Sequence, residues 1–222
     1  MSSLEQIEGI IFDMDGVIVD NHRFHFRAWM EFASKYKFEL NDEIYRNDFN
    51  GKTNADLFRM IFGKITEEEI LAYSLEKEVN YQKLYASEIK PHTGLVEFLK
   101  DLKSKNYRIA LGTSAPTTNV DFTMNALGMR DYFDVIIDGS QVSKGKPDPE
   151  VYLKCAKSLG LHPNHCVVFE DSLAGLQSGK NAGCSIIGVA TSHTREELLP
   201  TVKNIINDFT EIGNQFPAVM KA

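Results

Sequence analysis

The sequence predicts an α/β fold, a doubly wound parallel sheet with a small all-helical insertion after its first strand. Three observations carry this. Short apolar runs at 107–112, 133–137, 165–169 and 184–189 alternate with amphipathic stretches of helical length. A similar run at 9–13 (GIIFD) ends in an acid, as a buried strand leading into a loop would. Between 21 and 90, by contrast, apolar residues recur at helical spacing and no strand pattern occurs.

The elements follow in order. In the inserted stretch, Phe26, Trp29, Phe32, Ala33 and Tyr36 mark the buried face of a helix. Thr66 with Glu69 forms a capping box, a hydroxyl at the N-cap and a Glu three residues on, ahead of a long helix. After Pro91, Leu95, Phe98, Leu99 and Leu102 define an amphipathic helix before the strand at 107–112. Pro116 opens the next helix and Gly128 closes it. Helices are expected again at 149–160 and 172–182. The expected domains are a Rossmann-like core from 1–20 and 91–222, and a helical cap from 21–90.

The 222 residues suffice for one large domain with an insertion, and 43% apolar with 25% charged content fits a chain with a real core. A net charge of −7 disfavours a nucleic-acid partner, which needs a basic surface. An anionic substrate would then require local positive charge from a lysine or a metal ion. Cys155, Cys166 and Cys184 form no C-x-x-C pair and read as reduced core thiols. His22, His25, His92, His162, His165 and His193 show no zinc-site spacing. No apolar run approaches the ~18 residues of a membrane span, and MSSLEQIEG has neither the basic nor the apolar region of a signal peptide. The expectation is a cytoplasmic protein with no membrane partner; a monomer is compatible with a sequence that does not fix the oligomeric state.

In an open parallel sheet, ligands bind beyond the carboxyl ends of the strands. The residues there are Asp13 and Asp15 after the first strand, Thr113 and Ser114 after the second, and Glu170 and Asp171 after the fourth, with Lys146 in a Gly/Pro-rich loop. Asp13 and Asp15, two apart on extended backbone, point the same way and can divide labour as nucleophile and acid/base. Asp before Gly is also a common turn, but one leaving an apolar strand favours the functional reading. Mg²⁺ takes oxygen ligands, usually one or two carboxylates with water and phosphate, and Asp13 with Asp171, flanked by Glu170, meets that need. Glu170-Asp171-Ser172 reads equally as a helix N-terminus, and both can hold. Thr113 and Ser114 precede a helix whose free amides would cradle a phosphoryl group, or they simply cap it. Lys146 sits in Gly145-Lys146-Pro147-Asp148-Pro149, a rigid setting unlike that of a solvated surface lysine.

Four stretches in order, IIFDMDGVIVD (10–20), LGTSA (111–115), KGKPDP (144–149) and VFEDSLAG (168–175), give the chain a resemblance to the haloacid dehalogenase superfamily, within its β-phosphoglucomutase-like group. The resemblance spans essentially the whole length and puts the helical insertion where that group carries its cap. It implies that Asp13 forms an aspartyl-phosphate and that Asp15 is the acid/base, with its backbone carbonyl on Mg²⁺. Thr113 and Lys146 would bind the phosphoryl oxygens, and Asp171 would complete the metal site beside Glu170. Superfamily dehalogenases need no metal and lack the second Asp, so Asp15 and Asp171 argue for phosphoryl transfer to or from a small phosphorylated metabolite, such as a sugar phosphate.

His25, within HFRAW (25–29), is similar to a mutase residue near the cap hinge; it also reads as a packed helix residue. The loop Asn50-Gly51-Lys52-Thr53-Asn54 departs from the mutase pattern, which has Lys before the Gly and Arg four residues after that Lys. A mutase must hold the distal phosphate of a bisphosphate with cationic groups. Asn50 and Asn54 are neutral, so the expectation is a phosphatase whose cap reads its substrate with amides, the alternative being a β-phosphoglucomutase-type isomerase. A catalytically silent binding protein would be expected to have lost one of the four motifs, and none is missing.

Overall fold

The computed structural model describes residues 7–212. Six strands, β1 (Gly9–Phe12), β2 (Arg108–Gly112), β3 (Val135–Ile137), β4 (Cys166–Glu170), β5 (Ser185–Val189) and β6 (Ile205–Ile206), form one sheet in the order β3-β2-β1-β4-β5-β6. Every pairing is parallel. The predicted doubly wound sheet is therefore present. Its sixth strand escaped the sequence because two residues carry no periodicity. Likewise, the strand expected from 133 begins at Val135, since a 3₁₀ turn at Arg130–Tyr132 precedes it and Phe133 leads in.

The continuous apolar run of β1 reflects burial on both faces. Side chains alternate across the sheet: Ile10 and Phe12 enter one hydrophobic cluster and Ile11 the other. Helices α5 (Leu95–Ser104) and α6 (Thr117–Leu127) cover the first face, and α7 (Glu150–Ser158) and α8 (Leu173–Ala182) the second, with short α9 (Arg195–Leu198) after β5. Pro116 and Gly128 bound α6 as expected, Gly128 taking the left-handed conformation at φ +61°.

Between β1 and α5 lie α1 (His22–Tyr36), α2 (Asp42–Ile44), a π-helical turn (Tyr45–Phe49), α3 (Asn54–Phe62) and α4 (Glu67–Tyr85). The capping box at the start of α4 is made in both directions. Trp29, Phe32 and Ala33 are buried in a cluster of their own with Tyr45, Phe49, Leu57, Phe58 and Ile70, while Phe26 and Tyr36 are partly covered at its edge. Phe24 and Ala28 of α1, with Tyr81 and Tyr85 of α4, instead join the core beneath the sheet. Two long helices thus seat the helical block on the α/β core. Among the described residues no helix is long and apolar enough to cross a membrane.

Phe12 stacks on Phe169 across the β1–β4 pair, with ring centroids 5.0 Å apart, and Phe209 packs on both at 5.9 and 5.5 Å. Phe209 is buried in a 3₁₀ turn after β6, so it ties the end of the sheet to the centre. Phe209→Ala should destabilise the protein by about 3–5 kcal/mol in denaturant unfolding, as a large buried ring lost from a core does. Leu153→Ala, at a side chain 40% exposed, should change stability by about 0.5 kcal/mol or less. Similar losses in the two variants would show that the aromatic cluster is not the centre of the core.

Candidate active site

The chain enters β1 at the middle of the sheet, builds β2 and β3 to one side, then crosses back to β4 on the other. The crevice between β1 and β4 is the place where such a sheet binds ligands. Asp13 stands at its mouth, its backbone N–H still donating to Phe169 O at 3.0 Å as an extension of the ladder. Asp171 follows β4 on the facing side.

Asp13, Glu170 and Asp171 are all buried, and their carboxylate oxygens lie within 4.8 Å of one another. Lys146 reaches into this group, with Nζ 2.9 Å from Asp13 Oδ1 and 2.6 Å from Glu170 Oε1. Its side chain is 1% exposed and its ammonium lies 5.0 Å from the centre of the Tyr152 ring. The peptide bond from Lys146 to Pro147 is cis. Glu170 is saturated: Oε1 accepts from Lys146 and Tyr152, and Oε2 from the Ser172 N–H and Oγ. It therefore fixes Lys146 and the start of α8. Asp171 differs, because its Oδ1 is buried with no hydrogen-bond partner among the described residues.

Three buried carboxylates around one ammonium leave an excess of negative charge. Burial, with Glu170 and Asp15 adding repulsion, pushes the Asp13 carboxyl up to about 7 against the pull of Lys146. Burial and the charges of Glu170 and Asp13 push Asp171 well above the usual carboxylate range. Burial works against the Lys146 charge, but Asp13 and Glu170 outweigh it and raise its pKa. An unpartnered carboxylate oxygen among repelling carboxylates is what a hard divalent cation relieves, so the residues present fit Mg²⁺ at Asp13 and Asp171, with Glu170 alongside.

Gly16 turns the chain at φ +80°, and a Cβ there would lie 2.1 Å from Asp171 Oδ2, so only glycine lets this turn pack against the acid. The loop after β5 braces the same place: Thr191 Oγ1 donates to Gly16 O, and Ser192 Oγ to Asp171 O.

Asp15 lines the same cavity as Asp13, as the two-residue spacing predicts. Asn21 Nδ2 donates to its Oδ1 at 2.6 Å and also to Tyr81 Oη at 2.7 Å. His25 stacks on Tyr81, ring centroids 3.7 Å apart, with Nε2 3.5 Å from Asp15 Oδ2. Lys77 Nζ lies 3.2 Å from His25 Nδ1; as an ammonium it donates there, which leaves the ring proton on Nε2, facing Asp15. Burial alone would raise the Asp15 carboxyl, but His25, Asn21 and Lys77 hold it below the usual range.

The remaining expected residues divide. Thr113 is buried behind β2, its Oγ1 accepting from the Ala115 N–H at 3.1 Å, and it lines the cavity. Ser114 lines it too, but its hydroxyl donates to Gly51 O at 2.8 Å, joining core to helical block. Asn50 presents a buried Nδ2 with no partner among the described residues. Asn54 Nδ2 donates to Glu78 Oε1 at 2.7 Å. The sequence reading missed Asn21, Lys77, Glu78 and Asn119, all of which line this cavity. A signal was available for Lys77: it falls four residues from Tyr73 and from Tyr81, on the inward face of α4.

Comparison with known proteins identifies the family. A family model described as "Haloacid dehalogenase-like hydrolase" matches residues 10–189. A phosphorylated carbohydrates phosphatase of Thermotoga maritima is 32% identical over 84% of this chain and 87% of its own. A β-phosphoglucomutase of Bacillus subtilis is 31% identical over 82% of this chain and 83% of its own. Among solved structures, a HAD hydrolase of family IA, variant 3, from Entamoeba histolytica superposes with a TM-score of 0.85 at 32% identity, over 97% of this chain and 100% of that one. The chain belongs to the haloacid dehalogenase-like hydrolase family.

Proposed function

We propose that the protein is a phosphatase that hydrolyses a small phosphorylated metabolite, a sugar phosphate, through an aspartyl-phosphate on Asp13. The observation that carries this reading is the buried Asp13–Lys146 pair, 2.9 Å apart, at the mouth of the β1–β4 crevice beside the unpartnered Asp171. A carboxylate so placed is a nucleophile for phosphorus, and Lys146 supplies charge to the phosphoryl oxygens. Mg²⁺, held by Asp13 and Asp171, would neutralise the remaining phosphoryl charge.

In the first displacement an Asp13 oxygen bonds to phosphorus, the bond to the leaving oxygen breaks, and Asp15 gives that oxygen its proton. His25, Asn21 and Lys77 hold the Asp15 carboxyl low without substrate, and the negative charge of a bound phosphoryl group raises it so that it carries the proton in the complex. In the second, water attacks phosphorus, Asp15 takes the water's proton, and the bond to Asp13 breaks to release phosphate. Asp15 is suited to both halves because Asn21 and His25 hold its carboxyl from two sides while it faces the cavity. Thr113 and the unpartnered amide of Asn50, both lining the cavity, complete the donor set.

The charges on the helical block support hydrolysis over isomerisation. A mutase needs free cationic groups there to hold a distal phosphate. The Lys77 ammonium is already paired with Glu78 at 2.6 Å, and Asn50 and Asn54 are neutral. That leaves Lys52 as the cation of the cavity loop.

Asp13→Asn should lower kcat by about a hundredfold or more in a protein that still folds by circular dichroism, since an amide is a poor nucleophile of nearly the same shape. Retention of more than about a hundredth of the wild-type rate would remove Asp13 from the role. Phosphorus NMR of a reaction with β-glucose 1-phosphate should show inorganic phosphate and negligible glucose 6-phosphate. The same assay should stop in excess chelator and resume with Mg²⁺, while Ca²⁺, with its looser coordination, should support little turnover. Robust formation of glucose 6-phosphate would make the protein a mutase, with Lys52 the first residue to test as ligand of the distal phosphate.

A further inference from the structure

Glu78 is a charged side chain buried in the cavity wall facing the catalytic aspartates, 5% exposed, in a place where the proposed chemistry makes no use of it. Three elements converge on its carboxylate. From α4, Lys77 Nζ donates to Oε1 at 2.6 Å, and from α3, Asn54 Nδ2 donates to the same oxygen at 2.7 Å. From α6, across the boundary between block and core, Asn119 Nδ2 donates to Oε2 at 2.7 Å. The Asn119 amide is set in that orientation by Gln82, whose Nε2 donates to its Oδ1 at 2.9 Å.

A carboxylate offers about four acceptor positions and no donor. Oε1 has two donors, while Oε2 has one and keeps a position open. Burial alone would raise the Glu78 carboxyl, but Lys77 above all, with His25 and Asn54, holds it below the usual range. The wall of the cavity that Asp13 and Asp15 also line therefore carries a fixed acceptor. Such a group takes hydrogen bonds from hydroxyls and repels a second phosphate, which is itself acceptor-only.

Building on the phosphatase reading, we infer that Glu78 is a specificity-determining residue: it accepts a hydroxyl of an uncharged, polyhydroxylated leaving group and excludes bisphosphates. It does so in two ways: the paired carboxylate has no proton to offer a phosphate oxygen, and it occupies the Lys77 ammonium that would otherwise be free for a distal phosphate. Asn119 belongs to the core and Glu78 to the helical block, so the third hydrogen bond that fixes the acceptor spans the two.

The experiment compares kcat/KM for sugar monophosphates with that for the bisphosphates of the same sugars, fructose 1-phosphate against fructose 1,6-bisphosphate among them, in wild type, Glu78→Gln and Glu78→Asp. Wild type should prefer the monophosphate by about tenfold or more. Glu78→Gln should narrow that preference by about tenfold, largely through a lower KM for the bisphosphate, and Glu78→Asp, which keeps the charge, should retain it. A wild type that takes bisphosphates as well as monophosphates would overturn the inference, whether or not either variant folds. So would an equal loss on both substrates in Glu78→Gln, the mark of a contact that only holds the block to the core. Absence of any phosphomonoester hydrolysis by wild type, p-nitrophenyl phosphate included, would instead remove the phosphatase reading and this inference with it.

Discussion

Burying Lys146 between Asp13 and Glu170 is the constraint on which the rest of the site depends. An ammonium with 1% of its side chain exposed persists only if paired and hydrogen-bonded, and its two carboxylate partners come from the ends of β1 and β4. The parallel register that puts Phe12 beside Phe169 brings the following Asp13 and Glu170 to the same rim. The stacked Phe12–Phe169 pair below and the ion-paired cluster above are therefore two ends of one alignment. A slip of that register would separate the lysine from its partners and leave a buried charge uncompensated.

Above this fixed floor the helical block supplies a second polar layer. Asn21 and His25 grip Asp15, Lys77 orients His25, and Glu78 meets Lys77. This chain of contacts links Asp15, the proposed general acid/base, to the wall against which a leaving group would lie. Local contacts also hold the block down: Ser114 on Gly51, Asn119 on Glu78, and Arg46 on Glu197 of α9, at 3.2 Å. The exposed Arg46–Glu197 pair contributes little by itself, whereas the buried Glu78–Asn119 bond carries a charge and is correspondingly stronger.

Much of this was legible in the sequence because the core is built from short-range signals. Apolar runs ended in Asp13, Thr113 and Glu170, and a residue just past a strand end of a parallel sheet has only the rim to occupy. Pro116, Gly128 and Thr66 announced their helix ends because capping is a local matter. The polar lining of the helical block was less legible. Lys77 and Glu78 look like a solvated charge pair within a helix rich in Glu and Lys, and only packing against Trp29, Tyr81 and α6 makes them interior residues. Ser114 is recognisable as a rim residue, but its bond to Gly51 requires knowing where the block comes down. β6 failed for the opposite reason: Ile205 and Ile206 are too few to form a pattern, and their strand is set by pairing with β5.

The central claim is that phosphorus is attacked twice, first by Asp13 and then by water, and the stereochemical course at phosphorus tests it most directly. Each in-line displacement inverts the configuration. With a substrate made chiral at phosphorus by sulfur and oxygen isotopes, hydrolysis through an aspartyl-phosphate should give a product of retained configuration. Inversion would mean that water attacks the substrate directly, and Asp13 would then be a base or a metal ligand only.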